Sequence, residues 1–181
     1  MTYSDQQVLD KGNIDTIIVL DFGSQYTQLI ARRIRELDVF SVILPWDISK
    51  ERIAALNPVG IILSGGPESV TNNNTPRIPE IIFDLEIPIL GICYGMQTLA
   101  EQFGGQVTAS KTKEFGHASI TIETDCILFH SFDAGSSIDV WMSHGDHVST
   151  LPDQFNLIAS TPSAPIAAMA HNDKPIYALQ F

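Results

Sequence analysis

A cysteine in a glycine-flanked turn is the residue of this chain whose type and setting best suit covalent chemistry. Cys93 stands in Pro88-Ile-Leu-Gly-Ile-Cys-Tyr-Gly-Met-Gln97, where an apolar run precedes it and apolar residues at helical spacing follow. The pattern predicts a buried strand, a tight turn and a helix. Glycines at such a turn allow close packing around a strained nucleophile, and a helix N-terminus favours the thiolate. Two interpretations stay open: a catalytic cysteine, or a buried inert one.

A thiol that attacks a carbonyl carbon needs hydrogen-bond donors for the oxyanion and a base that activates the sulfur. The backbone N–H of Tyr94 directly follows Cys93, which is where elbow nucleophiles commonly find one donor. Gly66 ends the neighbouring predicted strand and can supply a second N–H, because glycine lets the backbone come close. The run Gly65-Gly66-Pro67 also fits a plain turn.

The base is not identified by the sequence. The chain has five histidines, His117, His130, His144, His147 and His171. His144 and His147 belong to Trp141-Met-Ser-His-Gly-Asp-His147, which predicts a polar turn after a strand. That turn can line a site or bind a metal, although His-x-x-His with one aspartate is thin for zinc. We predict no metal site, and the chain has no phosphate-binding loop of the G-x-x-x-x-G-K-[ST] type.

Composition and charge limit the classes of function. The chain has 181 residues, 44% of them hydrophobic and 17% charged, as expected for one globular domain with a sizeable core. A net charge of −11 argues against nucleic-acid or anionic-membrane binding by broad electrostatic attraction. Two cysteines make no disulfide framework, and neither a signal peptide nor a membrane span is visible. We expect a cytoplasmic protein that binds neither nucleic acid nor membrane.

The first half of the chain alternates between strand and helix patterns. Residues 1–15 are polar and aperiodic, and we expect a flexible extension there. The predicted strands are residues 16–20, 39–44, 59–63 and 87–92, and the predicted helices are residues 25–37, 49–56 and 78–85 and a segment after Cys93. The alternation indicates βαβ units with a parallel sheet. Sites of such sheets form at the carboxyl ends of strands, where residues 21–25, 64–67 and 93–95 would meet.

After Gly105 the helical periodicity disappears. The strand-type runs are Val107 and residues 117–122, 127–129, 140–142, 157–160, 166–170 and 176–181. Turn residues separate these runs, so the pattern predicts a strand-rich meander packed on the α/β half and not a second domain. We therefore predict one domain, residues 16–181.

Three motifs together resemble a known family. In chain order they are Ser64-Gly-Gly-Pro67, Gly91-Ile-Cys-Tyr-Gly-Met-Gln97 and Ser143-His-Gly-Asp146. Their order and spacing resemble those of the class I (triad) glutamine amidotransferases. The runs at residues 21–36 and 62–69 further resemble the amidotransferase domains of glutamine-hydrolysing GMP synthases. The resemblance covers about residues 15–181 and implies an α/β fold: a mainly parallel twisted sheet with flanking helices, a flavodoxin-like core and the C-terminal meander.

The resemblance also implies roles for single residues. Cys93 would be the nucleophile that forms a glutamyl thioester and releases ammonia. The N–H groups of Gly66 and Tyr94 would form the oxyanion hole. The amino and carboxylate groups of glutamine would be held by Gln97 and by Ser143, His144, Gly145 and Asp146. The resemblance thus assigns His144 to the wall of the glutamine pocket and not to the role of the base.

One departure from the family bears on activity. The family completes its triad with a His-Pro-Glu segment directly after a strand that ends in Gln-Phe, and the sequence ends at Gln180-Phe181. We therefore expect that the domain is truncated before this segment and that residues 1–181 alone hydrolyse little glutamine. In complete enzymes of this kind, which are homodimers, a synthetase (ATP-pyrophosphatase) domain uses ATP and Mg to aminate XMP to GMP in purine biosynthesis. The amidotransferase domain itself would need no cofactor.

Three other functions remain open at this stage. The chain can be the glutaminase of another pathway, although the turn at residues 21–25 argues against that. It can be a cysteine-elbow chaperone or protease-like protein, which would have no need of Gln97 or of residues 143–146. It can also be a non-catalytic binding module. Glutamine protection of Cys93 against a glutamine-mimicking electrophile separates the first of these from the other two.

Overall fold

One continuous mixed sheet of nine strands organises the chain. The computed structural model describes residues 15–181, without the side chains of residues 110–114, so the predicted extension at residues 1–15 lies outside the described residues except for Asp15. The strands are β1 Thr16–Asp21, β2 Phe40–Pro45, β3 Gly60–Leu63, β4 Ile89–Ile92, β5 Gln106–Ile122, β6 Ser137–Thr150, β7 Phe155–Ser160, β8 Ala168–His171 and β9 Ile176–Leu179. Their order across the sheet is β2-β1-β3-β4-β9-β8-β7-β5-β6.

The parallel half of the sheet agrees with the sequence prediction. Strands β1 to β4 pair in parallel with one another. The helices are α1 Thr27–Glu36, α2 Lys50–Leu56 and α3 Tyr94–Gln102. In β1, Ile18, Val19 and Leu20 are all fully buried, which shows that both faces of the strand are covered. The predicted fold class, a sheet with flanking helices, is confirmed.

Two helical predictions differ from the structure in detail. Helix α1 begins at Thr27 and not at Gln25, because the hydroxyl of Ser24 accepts a hydrogen bond from the Tyr26 N–H (3.0 Å) in a turn before the helix. The helix predicted at residues 78–85 is only the short 3-10 segment Glu80–Asp84. The prediction for α2 holds, and the Ser49 hydroxyl accepts from the Arg52 N–H (3.3 Å) as its N-cap.

The second half of the chain extends the same sheet and does not pack on it as a separate layer. Strand β9 pairs in parallel with β4, with Leu90 opposite Tyr177, and antiparallel strands continue from it to the edge. Two sequence predictions were wrong here. Residues 127–129 form a 3-10 helix and not a strand. The polar run at residues 143–147, predicted as a turn, lies inside β6, where Ser143 pairs with Phe115 and His147 with Thr108 of β5.

None of the helices in residues 15–181 has the length and apolarity needed to cross a membrane.

Candidate active site

Cys93 lies at a strained elbow between β4 and α3. Its φ and ψ are 49° and −107°, a backbone conformation that residues other than glycine rarely adopt. The flanking glycines are needed for space. A Cβ at Gly95 would lie 2.4 Å from the Leu63 carbonyl oxygen, and one at Gly91 would lie 2.7 Å from a Leu99 methyl carbon. Both distances are shorter than any stable contact, so only glycine fits at either position, as the sequence pattern predicts.

Hydrogen bonds tie the elbow to the strands on both sides. The Cys93 N–H donates to the Leu179 carbonyl at 2.8 Å, and the Cys93 thiol donates to the Gln180 carbonyl at 3.0 Å. On the other side, the Gly95 N–H donates to the Ser64 carbonyl at 3.1 Å. The sulfur is therefore held at the carboxyl edge of the sheet, between the ends of β3 and β9.

Burial opposes ionisation of this thiol. It raises the pKa of Cys93 to about 11, because the thiolate would lose its hydration. The dipole of α3, on which the sequence expectation of a thiolate rests, acts in the opposite direction, and that expectation stays a prediction. The hydrogen bond to Gln180 requires the neutral thiol as donor, and a base or a cation beside the sulfur would speed its reaction at neutral pH.

The two residues that carry the predicted oxyanion donors, Gly66 and Tyr94, are neighbours in the structure. Tyr94 is the first residue of α3, so its N–H has no acceptor within the helix. A Cβ at Gly66 would lie 2.6 Å from the Phe22 carbonyl oxygen and 3.3 Å from Cγ of Tyr94. The Gly66 backbone is thus pressed between Phe22 and Tyr94, where a side chain has no room. Their role in stabilising an oxyanion stays a prediction.

The loop that carries Gly66 is fastened to α3 by polar contacts that the sequence did not reveal. The Tyr94 hydroxyl donates to the Pro76 carbonyl at 2.7 Å. The side-chain amide of Gln102 makes two bonds to the backbone of Ile78, accepting at 2.9 Å and donating at 3.0 Å. Because these partners are 18 and 24 residues apart in the chain, no local pattern could have predicted them.

A cavity of about 470 Å³ opens beside the elbow, and we call it the first cavity. It is lined by all the predicted site residues: Gly66, Cys93, Tyr94, Gln97, Ser143, His144, Gly145 and Asp146. Its volume is in the range of ordinary small-molecule sites. Two acidic residues, Asp146 and Glu68, are among its lining residues, which suits a ligand with an ammonium group. Sequence reasoning missed Glu68, Ser69 and Phe115 in this lining, although the first two directly follow a predicted motif.

Gln97 links α3 to the far wall of the first cavity. It is buried, and its Nε2 donates to the Asp146 carbonyl at 2.9 Å and to Oε1 of Gln180 at 3.2 Å. Both amide protons therefore have acceptors within the protein, so that only its oxygen is left to accept from a ligand. Gln180, which the sequence did not single out, is fully buried and also accepts the Cys93 thiol through its backbone. The predicted role of Gln97 in binding glutamine stays a prediction.

Metal binding by the His-x-x-His run receives no support from the geometry. His144 and His147 lie three residues apart in β6, on either side of an irregularity in its pairing with β5. Across residues 15–181, apart from the side chains of residues 110–114, no three His, Cys, Asp or Glu residues form a group that could hold a metal ion.

Comparison with known proteins agrees with this geometry. The family model for "Glutamine amidotransferase class-I" matches residues 18–181. The chain is 55% identical over 171 residues to the GMP synthase [glutamine-hydrolyzing] of Teredinibacter turnerae, covering 91% of this chain and 33% of that relative. It is also 55% identical over 172 residues to the enzyme of the same name from Hahella chejuensis, with the same coverage. The chain thus spans about a third of the length of these relatives.

Two solved structures have the same fold. A candidate GMP synthase subunit from Thermoplasma acidophilum superimposes with a TM-score of 0.78 at 35% identity, over 93% of this chain and 84% of that one. A glutamine amidotransferase from Thermotoga maritima superimposes with a TM-score of 0.72 at 21% identity, over 92% of this chain and 75% of that one. The second similarity supports the fold alone.

Proposed function

The chain belongs to the class I glutamine amidotransferase family, and on this premise we propose that it is the glutamine-hydrolysing domain of a GMP synthase. The observation that carries the proposal is that every site residue predicted from the motifs lines the first cavity, around a thiol at a strained elbow. The names of the relatives, of which the chain spans a third, support GMP synthesis as the wider reaction. The domain would supply ammonia for amination of XMP.

The proposed reaction proceeds by covalent catalysis at Cys93. The thiolate attacks the carboxamide carbon of glutamine, a C–S bond forms, and the carbonyl electron pair moves onto oxygen. The N–H groups of Gly66 and Tyr94 stabilise that oxyanion. Protonation of the amide nitrogen lets the C–N bond break, so that ammonia leaves and a glutamyl thioester remains. Water then cleaves the thioester, which gives glutamate and restores the thiol.

The proposed reaction also requires groups that hold the glutamine and a base that deprotonates Cys93. Asp146 would pair with the α-ammonium of glutamine, and the backbone at residues 143–146 would hold its carboxylate. A base must remove the Cys93 proton, since burial keeps the pKa near 11. Strand β9 brings Gln180 to within 3.0 Å of the sulfur, so a histidine that closely follows Phe181, as in the family's His-Pro-Glu segment, would emerge at the same edge.

We propose no cofactor for this domain. ATP and Mg would serve the synthetase domain that completes such enzymes, and the complete enzyme would be a homodimer. The two cysteines, Cys93 and Cys126, are unpaired, which suits the reducing cytoplasm where we place this reaction.

The proposal is tested by covalent labelling of Cys93. Residues 1–181 carrying Cys126→Ser are treated with 6-diazo-5-oxonorleucine, a glutamine-mimicking electrophile, at pH 9, where a small fraction of Cys93 is thiolate even without the family's base. The thiolate displaces N2 from the protonated diazo carbon, and the adduct is measured by mass spectrometry. We expect one adduct on Cys93, protection by glutamine, and no protection by alanine at equal concentration. A Cys93→Ser variant is the blank. Labelling that glutamine does not slow would contradict the proposed site.

Turnover is tested separately. The chain extended by His-Pro-Glu and the following segment of a relative should release ammonia from glutamine, and residues 1–181 should release far less. Equal turnover by the two proteins would mean that a histidine within residues 1–181 is the base.

A further inference from the structure

Gln180 is a fully buried glutamine that contacts both the nucleophile and a residue of the glutamine pocket. Its main-chain N–H donates to the Ala167 carbonyl at 2.9 Å, and its main-chain carbonyl accepts from the Cys93 thiol at 3.0 Å. Its side-chain Oε1 accepts from Nε2 of Gln97 at 3.2 Å. One residue directly after β9 therefore holds the sulfur with its backbone and a pocket residue with its side chain.

The fold alone does not explain why a polar side chain stands at this position. Nε2 of Gln180 is buried and finds no acceptor in the part of the chain that the structure describes. An unpaired buried donor costs free energy, and an apolar side chain of equal length, such as methionine, would avoid that cost. A polar group that the packing does not require indicates a role in the neighbouring site.

The side-chain oxygen of Gln180 fixes which end of the Gln97 amide faces the ligand. The two protons on Nε2 of Gln97 go to the Asp146 carbonyl at 2.9 Å and to Oε1 of Gln180. Because both acceptors lie within the protein, the nitrogen is held towards them, and the Gln97 oxygen is left to accept an N–H of glutamine. Without Gln180, a single acceptor would have to set the orientation of that amide.

We propose that Gln180 is a positioning residue that couples the glutamine pocket to the nucleophile, because its side chain orients Gln97 and its carbonyl holds the Cys93 thiol. The inference rests on the proposed glutaminase function and adds to it a residue that acts through two others. The carbonyl accepts a proton that only the neutral thiol carries, so this contact favours the resting state of the sulfur. A change of the Gln180 side chain should therefore alter both glutamine binding and the reactivity of the thiol.

The coupling is tested by Gln180→Met in residues 1–181 carrying Cys126→Ser, which we call the parent chain. The substitution removes the side-chain amide and keeps the length of the side chain. We expect the urea concentration at half-unfolding to stay close to that of the parent chain, because loss of the unpaired amide offsets loss of the bond to Gln97. A residue that served only the fold would lower that concentration when it is replaced.

Two measurements at Cys93 are then made on the same variant. The glutamine concentration that half-protects Cys93 against 6-diazo-5-oxonorleucine at pH 9 should rise about fivefold, the effect of one ordinary hydrogen bond on binding. Without glutamine, alkylation by iodoacetamide at pH 9, in which the thiolate displaces iodide, should become about threefold faster, because the displaced carbonyl no longer favours the neutral thiol. Gln154→Met, at an exposed glutamine that does not line the first cavity, is the matched control and should leave both values unchanged.

A double variant shows whether Gln180 acts through Gln97. Gln97→Met/Gln180→Met should raise the half-protecting glutamine concentration no further than Gln97→Met does alone, because the two substitutions remove opposite ends of one hydrogen bond. An increase equal to the product of the two single effects would mean that Gln180 acts by another route, and it would overturn the orienting role.

The outcomes separate this inference from the function on which it rests. If glutamine fails to protect Cys93 of the parent chain, the proposed function fails. If glutamine protects the parent chain but Gln180→Met does not fold, or if either measurement at Cys93 is the same in this variant as in the parent chain, the glutaminase proposal stands and the coupling by Gln180 is overturned.

Discussion

The two walls of the first cavity are supported in different ways. We define the elbow wall as β4, Cys93 and α3, and the ribbon wall as the β5–β6 pair. In the elbow wall every residue of α3 from 94 to 100 is buried, and the glycines of the turn touch backbone directly. The ribbon wall ends the sheet, with β6 as the edge strand, and exposes 66% of Phe115 and 69% of Trp141.

This difference in packing indicates that the elbow wall positions the nucleophile and that the ribbon wall recognises the substrate. Core packing holds the sulfur, so changes in the elbow wall should act first on the free energy of unfolding. The ribbon wall contacts α3 through few polar links, chief among them the bond from Gln97 to the Asp146 carbonyl. Changes there should act first on glutamine binding.

The largest expected effect comes from adding one methyl group to the elbow wall. Gly95→Ala would place a Cβ 2.4 Å from the Leu63 carbonyl oxygen, which belongs to the backbone and cannot move aside cheaply. We expect it to lower the free energy of unfolding by about 3 kcal/mol, measured by urea denaturation. Gly60→Ala is the matched control, because its nearest neighbour would be at 3.6 Å. Equal stability of the two variants would contradict the close packing of the elbow.

The pH dependence of Cys93 alkylation tests whether water hydrates the thiol in the elbow wall. With a pKa near 11, the alkylation rate should rise about tenfold per pH unit from pH 8 and level off only near pH 11. Burial raises the pKa of Cys93 in the folded protein above its unfolded value of 9.0. The contribution of the neutral thiol to the free energy of unfolding is therefore complete below pH 9 and is lost as the pH rises through 11. That contribution is about 3 kcal/mol at most, because each pKa unit corresponds to about 1.4 kcal/mol.

The matched control for this pH series is Cys93→Ser, which should lose the part of the pH dependence of unfolding that falls between pH 9 and 11. A labelling rate that levels off near pH 9 would show that the thiol is hydrated.

A third variant cuts the link between the two walls. Gln97→Met keeps the length of the side chain but leaves the Asp146 carbonyl and Oε1 of Gln180 without their donor. We expect a loss of about 1–2 kcal/mol in the free energy of unfolding. The glutamine concentration that half-protects Cys93 should rise about tenfold, because the ribbon wall loses its support. A loss of stability with unchanged protection would mean that Gln97 serves the fold alone.

The smallest effects are expected on the ribbon wall itself. Phe115→Ser and Trp141→Ser replace two side chains of similar exposure, and each should change the free energy of unfolding by no more than about 0.5 kcal/mol. Phe115 lines the first cavity, so its replacement should weaken protection of Cys93 by glutamine. Trp141 does not line it and serves as the control. If both variants weakened protection equally, the assignment of Phe115 to the cavity would be wrong.

Prediction from sequence succeeded where the signal was local. The strands of the parallel half were found from short apolar runs, and Gly91 and Gly95 marked the elbow correctly. It failed along β5 and β6, where residues 143–147 were interpreted as a turn. These polar residues pair with a distant segment of the chain, and periodicity within one segment does not report that pairing. The 3-10 helix at residues 127–129 was missed because three apolar residues fit either structure.

The sequence by itself determined the elbow, the parallel strands and eight of the residues that line the first cavity, since glycine spacing, hydrophobic period and short motifs are properties of short segments. The tertiary structure alone decided the burial that raises the pKa of Cys93, because burial depends on every segment packed around the sulfur. It also decided that β9 lies beside β4 and that Gln180 joins the thiol to Gln97. These features rest on contacts between residues as far as 87 positions apart, and such contacts leave no trace in local periodicity.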